Sequence, residues 1–123
     1  MAKIVIVDDE PDLRALIRMS LEIDDHEFFE ACDAQTGLQL IESVNPDLIL
    51  LDVDMPDMDG REACRLIRKA GVSTPVIMLT GQSSDSDAIL GLDSGANDYV
   101  TKPFRFAVLL ARIRAHLRSH EQS

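Results

Sequence analysis

The chain has 123 residues, 46% of them apolar and 28% charged, and a formal net charge of −10. That length makes one domain that buries roughly two-thirds of its unfolded surface, and no apolar run approaches the ~18 to 20 residues of a membrane span. The acidic balance argues against direct binding to nucleic acid, whose phosphates reward basic surfaces, so any DNA contact needs another domain.

Met1-Ala2-Lys3 runs directly into a strand, with no signal peptide before it. Ile4 to Val7 is a continuous apolar run ending at Asp8, Asp9 and Glu10, and Pro11 stands where the first turn of a helix tolerates proline. Leu13, Leu16, Ile17 and Leu21 then recur at helical spacing. Glu27 to Cys32 reads as a second, less apolar strand at a sheet edge. From Asp33 a helix follows with Leu38, Ile41 and Val44 inward, stopped by Asn45 and Pro46. Leu48 to Leu51 is an unbroken apolar run, the pattern of a parallel strand covered on both faces, and it ends at Asp52. A helix from about Asp59 carries Ala63, Cys64 and Ile67 and ends near Gly71. Pro75 opens a fourth strand, Val76 to Leu79, terminating at Thr80. Ser84 to Gly95 is a weaker helix, because Gly91 and several serines lower its propensity. Asn97 to Thr101 makes a short fifth strand ending at Lys102 and Pro103, and Phe106, Leu109, Leu110, Ile113 and Leu117 mark the inward stripe of a last helix. Cys32 and Cys64 have no metal-like spacing and read as small buried hydrophobes in a reducing, cytoplasmic setting.

Strict alternation of strand and helix predicts an α/β fold, a three-layer doubly wound (βα)5 domain with right-handed crossovers. The most apolar runs should be central, which gives a five-stranded parallel sheet of order 2-1-3-4-5 with its switch point between the first and third strands. Four strand ends then deliver Asp8 and Asp9, Asp52, Thr80 and Lys102 to one edge. Taken alone, each has a plain explanation: an acidic helix start, a helix cap, a surface charge. Together, carboxylates crowded at one edge repel and need a cation, for which a hard divalent ion such as Mg²⁺ is the economical choice. A lysine and a hydroxyl across from that ion would hold phosphoryl oxygens.

The acidic pair, the Asp-x-x-Met-Pro-x-Met-Asp-Gly run from Asp52 to Gly60, Thr80 and Lys102-Pro103-Phe104, in that order along nearly the whole chain, resemble the receiver domain of bacterial two-component response regulators, a CheY-like, flavodoxin-like fold. The resemblance implies that residues 1–118 are the receiver and that Asp52 is the phosphoacceptor, taking its phosphoryl group from the phosphohistidine of a sensor histidine kinase or phosphotransfer protein. It further implies that Asp9 and Asp52 hold Mg²⁺ directly, Asp8 partly through water, and Asp54 through its backbone carbonyl. Thr80 and Lys102 would bind the phosphoryl group, with the charge of Lys102 useful only opposite it. Thr80 and Tyr99 would switch the face made by the fourth helix, fifth strand and fifth helix, and the Lys102–Pro103 bond would be cis. Such a protein is no enzyme but a phosphoacceptor that assists its own phosphorylation and dephosphorylation. Gly81 departs from the family's more frequent alanine, and Asp54 and Gln82 flank the phosphoryl position where the family varies.

Asp52-Val53-Asp54 also resembles the opening motif of haloacid-dehalogenase-type phosphatases, but those carry the nucleophile on their first strand. An acidic first loop likewise argues against a flavin module. The ending Leu109 to Arg118 resembles receivers of the OmpR/PhoB type, which continue into a DNA-binding domain, and Ser119 to Ser123 would begin a linker. A stand-alone receiver acting by protein contact is the alternative. On the last helix, Val108, Ala111 and Ala115 form a small apolar strip bordered by Arg112 and Arg118. It suits a homodimer formed on phosphorylation, with Arg112 pairing across the axis with Asp98.

Overall fold

A computed structural model describes residues 2–81, 89 and 92–122. The expected helix from Ser84 to Gly95 falls mainly outside them, as does Gln82. Five strands, β1 (Lys3–Val7), β2 (Glu27–Ala31), β3 (Leu48–Asp52), β4 (Val76–Thr80) and β5 (Asp98–Thr101), pair in parallel in the order β2-β1-β3-β4-β5. Helices α1 (Pro11–Ser20), α2 (Ala34–Val44) and α3 (Gly60–Lys69) intervene, with a 3-10 turn at Glu22–Asp24, and a C-terminal helix runs from Phe106 to Gln122. Along each central strand successive side chains enter opposite cores. Ile4, Ile6, Leu48, Leu50, Ile77 and Leu79 meet Ile17, Leu109 and Ile113 on one face. Val5, Val7, Ile49, Leu51, Val76 and Met78 meet Ile41, Ala63, Cys64 and Ile67 on the other. Burial on both faces is why these strands read as unbroken apolar runs rather than alternating ones.

Cys64 is buried as expected, whereas Cys32 is exposed. β2 ends at Ala31, one residue earlier than its sequence suggests. Cys32 therefore lies on the bend before Asp33, whose carboxylate caps α2 by accepting the Thr36 N–H at 2.8 Å. Leu16 is likewise 48% exposed, although it shares the helical spacing of buried Ile17. Arg68 clamps the far end of α3, donating to the carbonyls of Gly95 (3.0 Å), Val72 (2.9 Å) and Thr74 (2.7 Å) and to Asn97 Oδ1 (2.8 Å).

Two glycines sit in very different surroundings. A Cβ on Gly60 would stand 2.2 Å from the Asp52 carbonyl oxygen and 2.9 Å from Val53 Cα, both backbone atoms, whereas one on Gly81 would meet nothing within 4 Å. Gly60→Ala should therefore cost about 2 to 3 kcal/mol by forcing α3 off the end of β3, and Gly81→Ala should be near neutral. Thermal melts of the two variants check this; equal melting temperatures would refute the packing account.

Candidate functional site

The sheet is wound so that the carboxyl ends of β1, β3, β4 and β5 converge. Asp8 follows β1 and is fully buried, Asp52 closes β3 and is 2% exposed, and Thr80 closes β4 with no exposure. Register fixes the spacing: Val7 pairs with Leu51, so Asp8 and Asp52 occupy adjacent positions on neighbouring strands. Asp9 and Glu10 are exposed, and together with Asp8 they offer carboxylate oxygens within 4.8 Å of one another. Glu10 also donates its N–H to Asp8 Oδ1 at 2.9 Å, and Arg14 holds the Asp8 carbonyl while pairing with Glu30.

Lys102 reaches into this cluster from the end of β5. Its Nζ lies 2.9 Å from Asp8 Oδ2, 3.4 Å from Asp52 Oδ1 and 3.5 Å from Glu10 Oε1. The Lys102–Pro103 bond is cis, and the Lys102 N–H donates to the Thr80 carbonyl at 2.6 Å. Lys102 is thus the cation of two buried carboxylates, rather than a charge useful only opposite a phosphoryl group. Burial lowers its pKa, but Asp8, Asp52 and Glu10 more than offset this and leave it above the ordinary lysine value. Asp52 is pushed up to about 6, chiefly by burial and then by the charge of Asp8. Lys102 and the Asp54 N–H, 3.3 Å from Asp52 Oδ1, pull the other way. The carboxylate oxygens are hard donors, and the strain on an ionised Asp52 is what a divalent cation relieves, so the residues present fit an ion such as Mg²⁺.

The remaining expected residues divide into two places. Asp54 leaves β3 with its side chain exposed and forms a bridge with Asp59. Tyr99 is half-buried against the core on the α2 and α3 side. Its N–H donates to Asp98 Oδ1 at 2.8 Å. Asp98 also receives Arg112 (3.0 and 3.1 Å) and His116 Nε2 (3.0 Å). Burial raises the Asp98 pKa, but His116, the Tyr99 N–H and Arg112 prevail and hold it below the usual carboxylate value. Arg112 therefore meets Asp98 within one chain, where the sequence suggested a pair across a dimer axis. Both residues project from neighbouring elements, so the bond closes without a second copy. Val108, Ala111 and Ala115 are exposed beside them and line one shallow concavity with Ala107 and His116.

Sequence reasoning missed Glu10 as a member of the acidic trio, and it missed Arg68, Asp57 and His116. Glu10 was visible as the third acid of a run. The others act through contacts of 18 or more residues' separation or, for Arg68, also through nearby backbone carbonyls, which leave no local signature.

The raised Asp52 pKa has a sign that melting experiments can read. A folded value of about 6 against 3.8 unfolded means that stability is full below about pH 4 and is lost as pH rises through 6. In metal-free buffer Asp52→Asn should be more stable than the parent at pH 7.5 by about 2 kcal/mol, with the gap closing towards pH 4. Melts from pH 4 to 8 with chelator check this, and a gap independent of pH would refute it.

The model of the response regulator receiver domain matches residues 4–114. The BeF3-activated N-terminal receiver domain of Klebsiella pneumoniae RstA is 40% identical, with a TM-score of 0.88 over 94% of this chain and 98% of its own. The receiver domain of a Francisella response regulator is 33% identical, with a TM-score of 0.92 over 97% of this chain and 98% of its own. A CheY-like receiver domain protein from Methanospirillum hungatei JF-1 is 32% identical, with a TM-score of 0.92 over 99% and 98%. With the doubly wound sheet and the converging Asp8, Asp52, Thr80 and Lys102, these matches place the chain in the response regulator receiver domain family of two-component signalling.

Proposed function

We propose that Asp52 accepts a phosphoryl group from a phosphohistidine on a sensor histidine kinase or phosphotransfer protein. The observation that carries this is Asp52 itself, a buried carboxylate at a strand end facing Lys102 across 3.4 Å and flanked by an acidic cluster. An Asp52 carboxylate oxygen attacks phosphorus in line, the P–N bond to the histidine breaks, and its electron pair stays on the departing imidazole. Lys102 moves its charge from the carboxylates to the phosphoryl oxygens, and the Thr80 hydroxyl joins it. Asp9 and Asp52 directly, Asp8 partly through water and Asp54 through its backbone carbonyl would hold Mg²⁺, which would supply charge neutralisation when bound. Glu10 stands close enough to add to that set. The chain is a phosphoacceptor that helps its own phosphorylation and dephosphorylation rather than an enzyme acting on others.

Once Asp52 is an acyl phosphate, Thr80 is drawn to it and Tyr99 turns into the space released, changing the surface that includes Asp98 and the C-terminal helix. Half-burial of Tyr99 supports this, as does its backbone link to Asp98. Two copies then pack through Val108, Ala111 and Ala115, with Arg112 exchanging its own Asp98 for the partner's. The output is a fused DNA-binding domain of the OmpR/PhoB kind, a reading supported by the RstA receiver being an N-terminal domain. Contact of a stand-alone receiver with another protein is the alternative.

Incubated with acetyl phosphate and Mg²⁺, the chain should gain one acid-labile phosphoryl group, and Asp52→Asn should gain none. Intact mass spectrometry reads both, and the same adduct on the Asn variant would move the acceptor elsewhere. Sedimentation should show a monomer that dimerises with beryllofluoride. Arg112→Glu should weaken that dimer about ten-fold, and adding Asp98→Arg should partly restore it. A monomer in every state would reject the face.

A further inference from the structure

The loop from Val53 to Gly60 closes on itself. Asp54 bridges Asp59, the Gly60 N–H donates to the Val53 carbonyl at 2.8 Å, and the Met55 N–H donates to the same oxygen at 3.2 Å. At its outer turn stands Asp57, at a position the Asp-x-x-Met-Pro-x-Met-Asp-Gly motif leaves open. Its carboxylate does not face the acidic cluster. Asp57 Oδ1 accepts the Ala34 N–H at 2.9 Å and Oδ2 the Gln35 N–H at 3.0 Å, so it spans the first two amides of α2. These amides have no partner inside the helix, and the positive end of the helix favours a carboxylate there. The bonds hold the Asp57 pKa below the usual carboxylate range, first through Ala34 and then Gln35. Asp33 caps the next amide of the same helix, that of Thr36, at 2.8 Å, from α2's own approach rather than from the loop.

The helix that receives Asp57 is itself seated firmly. Gly37 of α2 lies so close to β1 that a Cβ there would be 2.7 Å from Val7 Cγ2, and Val7 directly precedes Asp8. A chain of contacts therefore runs from the loop bearing Asp54, through Asp57, across α2, to the strand that ends at Asp8 and Asp9. We propose that Asp57 is a positioning residue: by bridging the Ala34 and Gln35 amides it docks the loop on α2 and so fixes the Asp54 backbone carbonyl relative to Asp8 and Asp9. What this does for Mg²⁺ rests on the metal reading given above. The mechanical part does not, because it concerns backbone order alone.

The test compares Asp57→Ala with Asp33→Ala, since both remove a carboxylate from the amino end of α2 and only one of them ties down the loop. Hydrogen exchange without metal should show the amides of Met55, Met58, Asp59 and Gly60 exchanging about five-fold faster in Asp57→Ala and unchanged in Asp33→Ala. Calorimetric titration with Mg²⁺ should show affinity about ten-fold weaker in Asp57→Ala and within about two-fold of the parent in Asp33→Ala. The difference should persist at about 0.5 M KCl, where the long-range attraction of an exposed charge is screened. Unchanged loop exchange in Asp57→Ala overturns the proposal, as does equal loss in both variants, which would assign the effect to helix stability. A Mg²⁺ effect that disappears in salt overturns the positioning account of affinity in favour of simple charge. A parent that binds no Mg²⁺ overturns the metal reading, while the exchange arm still decides the tether.

Discussion

Two carboxylates forced together by strand register, Asp8 beside Asp52, are the constraint on which the rest of this molecule depends. Both positions are tightly held, because Asp52 closes β3 and Asp8 directly follows β1, strands whose apolar residues are buried on both faces. The like charges are tolerated only because Lys102 faces both of them, and even so Asp52 ionises with difficulty. A buried pair of this kind contributes little to folding and leaves the site short of positive charge. The same deficit favours a cation that relieves it.

The opposite requirement operates at Asp98. There one carboxylate collects Tyr99, Arg112 and His116, so its charge is fully engaged and its pKa falls. Asp98 begins β5 and Lys102 follows its end, so one short strand separates the starved cluster from the satisfied one. Tyr99 lies between them along the chain, joined to the second by its backbone and packed on the core.

Much of this was legible in the residues themselves. The order of the sheet followed from which runs were most apolar, and the sheet order then placed Asp8, Asp52, Thr80 and Lys102 on one edge without further information. Errors arose where periodicity and environment part company. Leu16 keeps the helical spacing of its neighbours yet faces outward, and Cys32 continues an apolar strand pattern one residue past the strand's end. Lys102 was assigned a role towards a phosphoryl group, but a sequence does not show that Asp8 and Asp52 leave an ammonium-sized gap between them. Arg112 and Asp98 were expected to pair across a dimer axis, whereas they meet within one chain, a contact that depends on side-chain reach across adjacent elements. Asp57 gave no sign because its partners are backbone amides 22 and 23 residues away.

The in-chain pair of Arg112 and Asp98 also bears on how such a surface would respond to ionic strength. If two copies came together by trading this bond for its counterpart, each would surrender one ion pair and acquire one, so the count of paired charges would stay the same. Association would then depend only shallowly on salt, in contrast to interfaces that create new ion pairs on contact. The net gain would fall to Val108, Ala111 and Ala115, whose removal from water is marked by a negative heat capacity change. The ionic pair would act as a gauge of alignment between copies, and the alanines would carry the affinity.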